Sequence, residues 1–498
     1  MGEPNTTTQD KKNILFLIAD DLGKYLGCYG VKSIKTPNID KLASEGTLFD
    51  MAFTSTASCS ASRSVMYTGL HTHENGQYGL AGGRHRFTTF DHVETMPYVF
   101  NSLGYQTGII GKVHVGPASA YPWEIREESP SRNVEWVADR AEAFFMKAKG
   151  AKRPFHLTVG YIDPHRDLTR SGFGNRDIHE ARIQVPDMNL EDVEVPPFLS
   201  DLLEVRTELV EYYQSISRLD IGIGMILKAL ENQGLADSTM VCFVSDNGPP
   251  FMNSKTTLYD AGVRLPVIIR TPQHLKPGTI NPNMISYIDF LPTLVDWAGG
   301  QGLTTHEQSS SPPRLGRSFL SILESSNLLP DSEWQHHVFG SHTFHEVQNY
   351  WPTRFLRTRR YKYHRNIAWR LDFPFATDIY GSLSWEGIRN TPAPVMVGSR
   401  TLKNYIWRPA EELYDLEKDP QEVHNLAGEK EYTELVKELR MKLEKWQLQT
   451  KDMWLYRDGV SVVMNGHHMA TGLRIPDKSE IDVERPGNID VECWSAPS

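Results

Sequence analysis

Cys59 stands in a run of small and hydroxylated residues, Thr54-Ser55-Thr56-Ala57-Ser58-Cys59-Ser60-Ala61-Ser62-Arg63, that leads through a short helical stretch to Gly69. The spacing puts the cysteine at or near a helix N-terminus. There, free backbone N–H groups and the positive end of the helix dipole favour a bound anion. Arg63, four residues on, shares its helical face. Thiol chemistry and anion binding therefore meet at one place. A cysteine alone is more often a buried structural residue than a reactive one, so its role depends on what the rest of the chain brings to it.

Two apolar runs end in hard oxygen ligands. Residues 13–19 lead into Asp20-Asp21, and residues 239–245 into Asp246-Asn247-Gly248. Ligands of open α/β sheets gather outside the carboxyl ends of the strands, so these four side chains are expected to converge. Three carboxylates and an amide oxygen suit Ca²⁺ or Mg²⁺ better than zinc. Lys112, His114, His165 and Lys255 fall near further strand ends or adjoining loops. Singly, each reads as a solvated lysine or a satisfied histidine, and each acid pair as a strand-end cap. Jointly they supply what transfer from an oxyanion needs: a metal, cations to hold charge and histidines to move protons. A divalent ion would offset Asp20, Asp21 and Asp246, leaving Arg63, Lys112 and Lys255 for an anionic substrate.

The elements that must position these groups alternate along the chain. Strands are expected at 13–19, 104–111, 155–162, 239–245 and 266–270, with helices near 36–43, from Cys59, and at 95–103, 134–148, 206–233 and 288–297. Continuous apolar strands suit a sheet buried on both faces. This predicts an α/β fold with a large, mainly parallel sheet covered by helices on both faces. After the Gly-, Ser- and Pro-rich stretch 299–313 the texture changes to short alternating runs at 337–342, 354–357, 361–365 and 412–416, then an amphipathic helix at 431–449. These predict a smaller C-terminal α+β domain built on an antiparallel sheet. The expected divisions are a flexible N-terminus (1–12), a catalytic domain (13–330), the C-terminal domain (331–471) and a polar tail (472–498).

The 498 residues carry a net charge of −10, which argues against a nucleic-acid partner, since phosphate-backbone affinity needs clustered Lys and Arg. No apolar run is long enough to span a membrane. The first ten residues lack the charged and apolar regions of a signal peptide. As the sequence stands the expected location is cytoplasmic, with a secretory location open if the N-terminus is truncated. The four cysteines, Cys28, Cys59, Cys242 and Cys493, are widely spread and form neither a disulfide framework nor a paired zinc motif.

Cys59-Ser60-Ala61-Ser62-Arg63 with the downstream Thr68-Gly69 resembles the signature of type I sulfatases, of the alkaline-phosphatase-like superfamily; Ala61 takes a position that proline holds in most members. The resemblance continues in Ala19-Asp20-Asp21, Gly111-Lys112-Val113-His114, Asp163-Pro164-His165, Ser245-Asp246-Asn247-Gly248 and the run from Lys255 to Arg264. It extends to Glu412-Leu413-Tyr414-Asp415-Leu416 and Asp419-Pro420. Within that family, Gly76-Gln77-Tyr78-Gly79-Leu80, residues 108–117, Phe339-Gly340-Ser341-His342, His345-Glu346-Val347 and Phe373-Pro374-Phe375 are similar to the sulfamidase, or heparan N-sulfatase, branch.

The resemblance implies that modification machinery oxidises Cys59 to formylglycine, whose hydrated aldehyde is the nucleophile. It implies a metal held by Asp20, Asp21, Asp246, Asn247 and the group made from Cys59, with Ca²⁺ expected and Mg²⁺ the other option. Arg63 and Lys112 would steady the formylglycine and sulfate, and His114 would assist elimination. His165 and Lys255 would contact sulfate and leaving group, and His345 and Glu346 would join them in binding substrate. The implied substrate is a small sulfated saccharide, an N-sulfoglucosamine-like sulfamate; the alternatives are O-sulfate or aryl sulfate esters, or a phosphate or phosphonate monoester. A non-catalytic protein binding sulfated glycans is the reading outside enzymology. A homodimer is also implied.

Overall fold

The computed structural model describes residues 12–167, 169, 172–176, 182–300 and 309–455. The polar tail expected at 472–498 and nearly all of the expected flexible N-terminus lie outside the described residues.

An eight-stranded sheet is built from β1 (Asn13–Ala19), β2 (Thr47–Phe49), β3 (Gln106–Gly111), β4 (Ile125–Glu128), β5 (Phe155–Gly160), β6 (Thr239–Ser245), β7 (Val267–Arg270) and β8 (Thr279–Asn281). Their order is β4-β3-β5-β1-β6-β7-β2-β8. Strand β1 is central and pairs in parallel with β5 (Leu15 opposite Leu157) and with β6 (Ala19 opposite Ser245). Among these strands β7 alone runs against both its neighbours.

Side chains alternate across β1 with the period of a strand. Ile14, Phe16 and Ile18 enter one core with α2 (Cys59–Thr68), α3 (Met96–Ser102) and α6 (Phe290–Trp297), through Val65, Phe100 and Leu291. Leu15, Leu17 and Ala19 enter the other with α1 (Pro37–Glu45), α4 (Val134–Ala151) and α5 (Leu203–Asn232), through Ile39, Phe145 and Ile216. Every residue of β1 is buried. At about 1.5–3 kcal/mol for each large apolar side chain, this strand is strongly fixed in register, which fixes where Asp20 and Asp21 emerge.

The expected mainly parallel, doubly covered sheet is therefore present. The short strands β2, β4 and β8 had no sequence signal, because three or four residues are too few to show a period. Beyond it, β9 (His337–His342), β10 (Thr353–Thr358), β11 (Tyr361–Asn366) and β12 (Glu411–Asp415) form an antiparallel sheet in that order. Helix α7 (Thr433–Gln449) packs Leu439, Leu443 and Trp446 on Leu356, Tyr363 and Leu413. The antiparallel sheet packs against the loops beside the large sheet through a buried cluster in which Phe53, Ala57 and Val263 meet Val338 and Phe355. Between β11 and β12 the chain makes short helices at Thr377–Tyr380, Leu383–Arg389 and Leu402–Ile406, over a core of Trp351, Phe373, Trp385 and Tyr405. No helix among the described residues is long and apolar enough to cross a membrane.

Candidate active site

The sheet delivers the acids as its strand ends predict. Asp20 and Asp21 follow β1, Asp246 and Asn247 follow β6, and the two ends are tied by the Asp246 N–H donating to the Ala19 carbonyl (3.0 Å). Asp21 takes a left-handed backbone, φ 61°, a conformation rare outside glycine, asparagine and aspartate. That turn aims its N–H at Asp246 Oδ1 (3.1 Å), while Asn247 Nδ2 donates to Asp21 Oδ1 (2.7 Å). Ligand oxygens of Asp20, Asp21 and Asp246 lie within 4.8 Å of one another, all three residues fully buried. Asp20 Oδ1 and Asn247 Oδ1 are buried without a hydrogen-bond partner. Orphaned acceptors in an all-oxygen cluster fit a hard divalent cation. Burial and the neighbouring Asp20 push the Asp246 carboxyl upward. Burial opposes charge on Asp20 as well, yet the cations around it, the Lys112 ammonium first and then the Arg63 guanidinium, hold it well below the usual carboxylate range.

The cations differ from the expectation that left them free for a substrate: each is already paired. Arg63 is completely buried rather than at the surface. Its Nε donates to Asp246 Oδ2 (2.8 Å) and Nη1 to the Lys112 carbonyl (3.0 Å), while Nη2 has no partner. It passes against Gly160, where a Cβ would come within 2.7 Å of Nη1. Lys112 Nζ donates to Asp20 Oδ2. Lys255 Nζ reaches Asp21 Oδ2 (2.8 Å), Asp378 Oδ2 (2.6 Å) and His165 Nε2 (3.2 Å). The physical reason is proximity: clustered carboxylates in a dry site draw in whatever cation is within reach.

The histidines are set as neutral bases. His165 Nδ1 lies 2.6 Å from the Arg166 carbonyl, which only accepts, so Nδ1 carries the proton and Nε2 faces Lys255 as an acceptor. His114 has φ 52° and a buried, unpartnered Nδ1. Burial, then Lys112, push its pKa well below the ordinary histidine value.

Cys59 is the first residue of α2. The hydroxyl of its preceding residue, Ser58, bonds His345 Nδ1 (2.9 Å) and leaves the helix N–H groups uncapped by a side chain. The thiol is buried, and burial pushes its pKa up to about 12. Such a thiol stays protonated at neutral pH and is a poor nucleophile. It opens nonetheless on a cavity of about 890 Å³ lined also by Lys112, His114, His165, Lys255, His345 and Glu346. Asp20, Asp21, Asp246 and Asn247 do not line it themselves, but Asp20 and Asp21 are bonded to its lining residues Lys112 and Lys255. Glu346 sits at the rim, accepting from Thr377 Oγ1 (2.6 Å). Sequence reading missed several charged lining residues, among them Arg132 and Asp378. Arg132 Nη1 bonds Asp163 Oδ1 (3.1 Å) and the His165 carbonyl (2.6 Å), bracing the histidine loop. The available signal for Asp378 was its place just after Phe373-Pro374-Phe375.

The comparisons with known proteins agree with this chemistry. Residues 12–300 match the sulfatase family model, and residues 251–371 match the model described as N-sulphoglucosamine sulphohydrolase, C-terminal. The chain is 36% identical over 474 residues to human N-sulphoglucosamine sulphohydrolase, covering 90% of this chain and 92% of the relative. It is 30% identical over 454 residues to an ulvan-active sulfatase of Formosa agariphila, covering 90% and 82%. A solved structure in complex with its substrate D-glucosamine-2-N,6-O-disulfate superposes with a TM-score of 0.63 at 21% identity, covering 89% and 98%. The chain belongs to the sulfatase family.

Proposed function

We propose that the protein hydrolyses the sulfamate of an N-sulfoglucosamine-like sugar, using a nucleophile made from Cys59 beside a bound Ca²⁺. The observation that carries this reading is the convergence, at one helix N-terminus under one cavity, of an all-oxygen acid cluster with Arg63, Lys112 and Lys255. Support for the substrate class comes from the match to the N-sulphoglucosamine sulphohydrolase C-terminal model and from the likeness to the human enzyme of that name.

Asp20, Asp21, Asp246 and Asn247 would hold the metal, which supplies charge neutralisation and a lowered pKa for the nucleophile. Ca²⁺ accepts such a large, mixed carboxylate and amide oxygen set more readily than Mg²⁺. Formylglycine at residue 59, once its aldehyde has added water, would supply a hydroxyl nucleophile, which the buried thiol does not. The uncapped N–H groups of α2 and the ammonium of Lys112 then face the sulfate oxygens, where charge develops. His114, held neutral, accepts a proton from the hydroxyl at residue 59. His165 presents Nε2 toward the leaving group and on protonation donates to its nitrogen.

The test is sulfate release from N-sulfoglucosamine, set against phosphate release from glucosamine phosphate, with the mass of the Cys59 peptide. Conversion to formylglycine lowers that mass by roughly 18 Da. Full activity with an unconverted cysteine, or preferential phosphate release, would overturn the reading.

A further inference from the structure

Asp378 lies in the short helix Thr377–Tyr380, contributed from between β11 and β12. The helix is anchored beside the cavity by the Thr377–Glu346 bond (2.6 Å) and by Asn349 Nδ2 donating to the Phe375 carbonyl (3.0 Å). Asp378 Oδ1 accepts from the Ile379 N–H (2.9 Å), and Oδ2 accepts from Lys255 Nζ (2.6 Å). Lys255 has three donors, and all are engaged, by Asp21, His165 and Asp378. Its side chain is 1% exposed, against 0% for Asp21 and 17% for Asp378. The ammonium therefore sits between a deep carboxylate and one that faces the cavity. Of the two carboxylates on Lys255, Asp378 lines the cavity and Asp21 does not.

We propose that Asp378 is an internal counter-anion: it positions Lys255 in the empty pocket and competes with a bound oxyanion for the same ammonium, weakening retention of substrate and released sulfate. This rests on the oxyanion-binding reading of the pocket. Its physical basis is Coulombic: a unit negative charge in direct contact with the cation that an anion must use opposes that anion, strongly so where water is excluded. Interactions equal in ground state and transition state do not speed the chemical step, and a tightly kept product slows turnover. A carboxylate that takes the ammonium back favours release.

The test titrates inorganic sulfate, and separately inorganic phosphate, into the full chain by calorimetry. Asp378→Asn is expected to bind sulfate at least about tenfold more tightly than wild type, with Asp378→Ser as the second variant should the first fold poorly. Structural damage does not tighten a binding site, so a gain separates this role from a merely structural one. Comparing K255M with K255M/D378N, the gain is expected to fall below about threefold, because the competition runs through Lys255. Unchanged or weaker sulfate binding in both Asp378 variants overturns the proposal, as does an undiminished gain without Lys255, or no binding of either anion by any variant. Sulfatase activity with no gain refutes this inference and leaves the function standing. Phosphate release with a gain for phosphate does the reverse.

Discussion

Replacing Arg63 by Met in the metal-stripped protein exposes the main electrostatic tension of the site. The guanidinium and the Asp246 carboxylate are both fully buried and 2.8 Å apart. Removing one member of such a pair strands the other in a dry environment, at a cost of about 3–5 kcal/mol. Against a typical total of about 5–15 kcal/mol, that is a large share. Burial and Asp20 already disfavour charge on Asp246, and without Arg63 the nearest compensation is gone. The second variant, R63M/D246N, removes the stranded charge while keeping an acceptor for the Asp21 N–H. It should recover at least about 2 kcal/mol of the loss, a non-additivity expected of directly paired groups. Urea unfolding followed by fluorescence and circular dichroism measures both. A divalent cation held by Asp246 takes over part of the compensation, so millimolar Ca²⁺ should shrink the R63M penalty and leave R63M/D246N nearly unaffected. A penalty under about 1 kcal/mol, full additivity of the two changes, or an equal Ca²⁺ response in both variants would refute the pairing argument and the placing of Asp246 at the cation.

Gly160→Ala should cost at least about tenfold in activity, because its methyl would press on Arg63 Nη1 and the Lys112 carbonyl; unchanged steady-state kinetics would show that the contact relaxes freely. His73, His156 and His342 have pKa values pushed down by burial to about 4, 3 and 3. The unfolded chain binds protons near pH 6.5 that the folded chain refuses, so stability is full above that pH and falls as pH drops toward these values, by about 1 kcal/mol per histidine between pH 6 and 5. Chemical denaturation across pH 5–8 checks the sign. His156→Phe, at a side chain stacked on Phe100 (4.6 Å) with neither ring nitrogen paired, should reduce the acid slope. Any unconverted Cys59 should resist iodoacetamide at pH 8 in the folded state and react in urea, as peptide mapping would show; rapid labelling of the folded protein contradicts the buried thiol.

What could be read from the chain divides along a physical line. Residues 13–19 and 239–245 are apolar on both faces, so their strand character, their place in the sheet's interior and the emergence of Asp20 and Asp246 at its carboxyl edge all follow from burial and period. Cys59 at the start of α2 follows from local composition in the same way. The pairing of Lys112 with Asp20, and of Lys255 with both Asp21 and Asp378, does not. It depends on three-dimensional distances between residues that are 92 to 234 positions apart in the chain. Counting charges correctly balanced acids against cations but assigned the cations to a substrate, whereas a folded site must first satisfy its own buried carboxylates. Asp378 was hidden for a related reason. It sits in a four-residue helix within irregular chain, where no period marks structure and function enters through the loop's position on a rigid scaffold. With four carboxylates and three cations drawn together, anion binding at these cations would be an exchange of partners rather than the filling of a vacant positive pocket. On the proposed reading, anion specificity would depend as much on Asp378 and the buried acids paired with Lys112 and Lys255 as on the two lysines themselves.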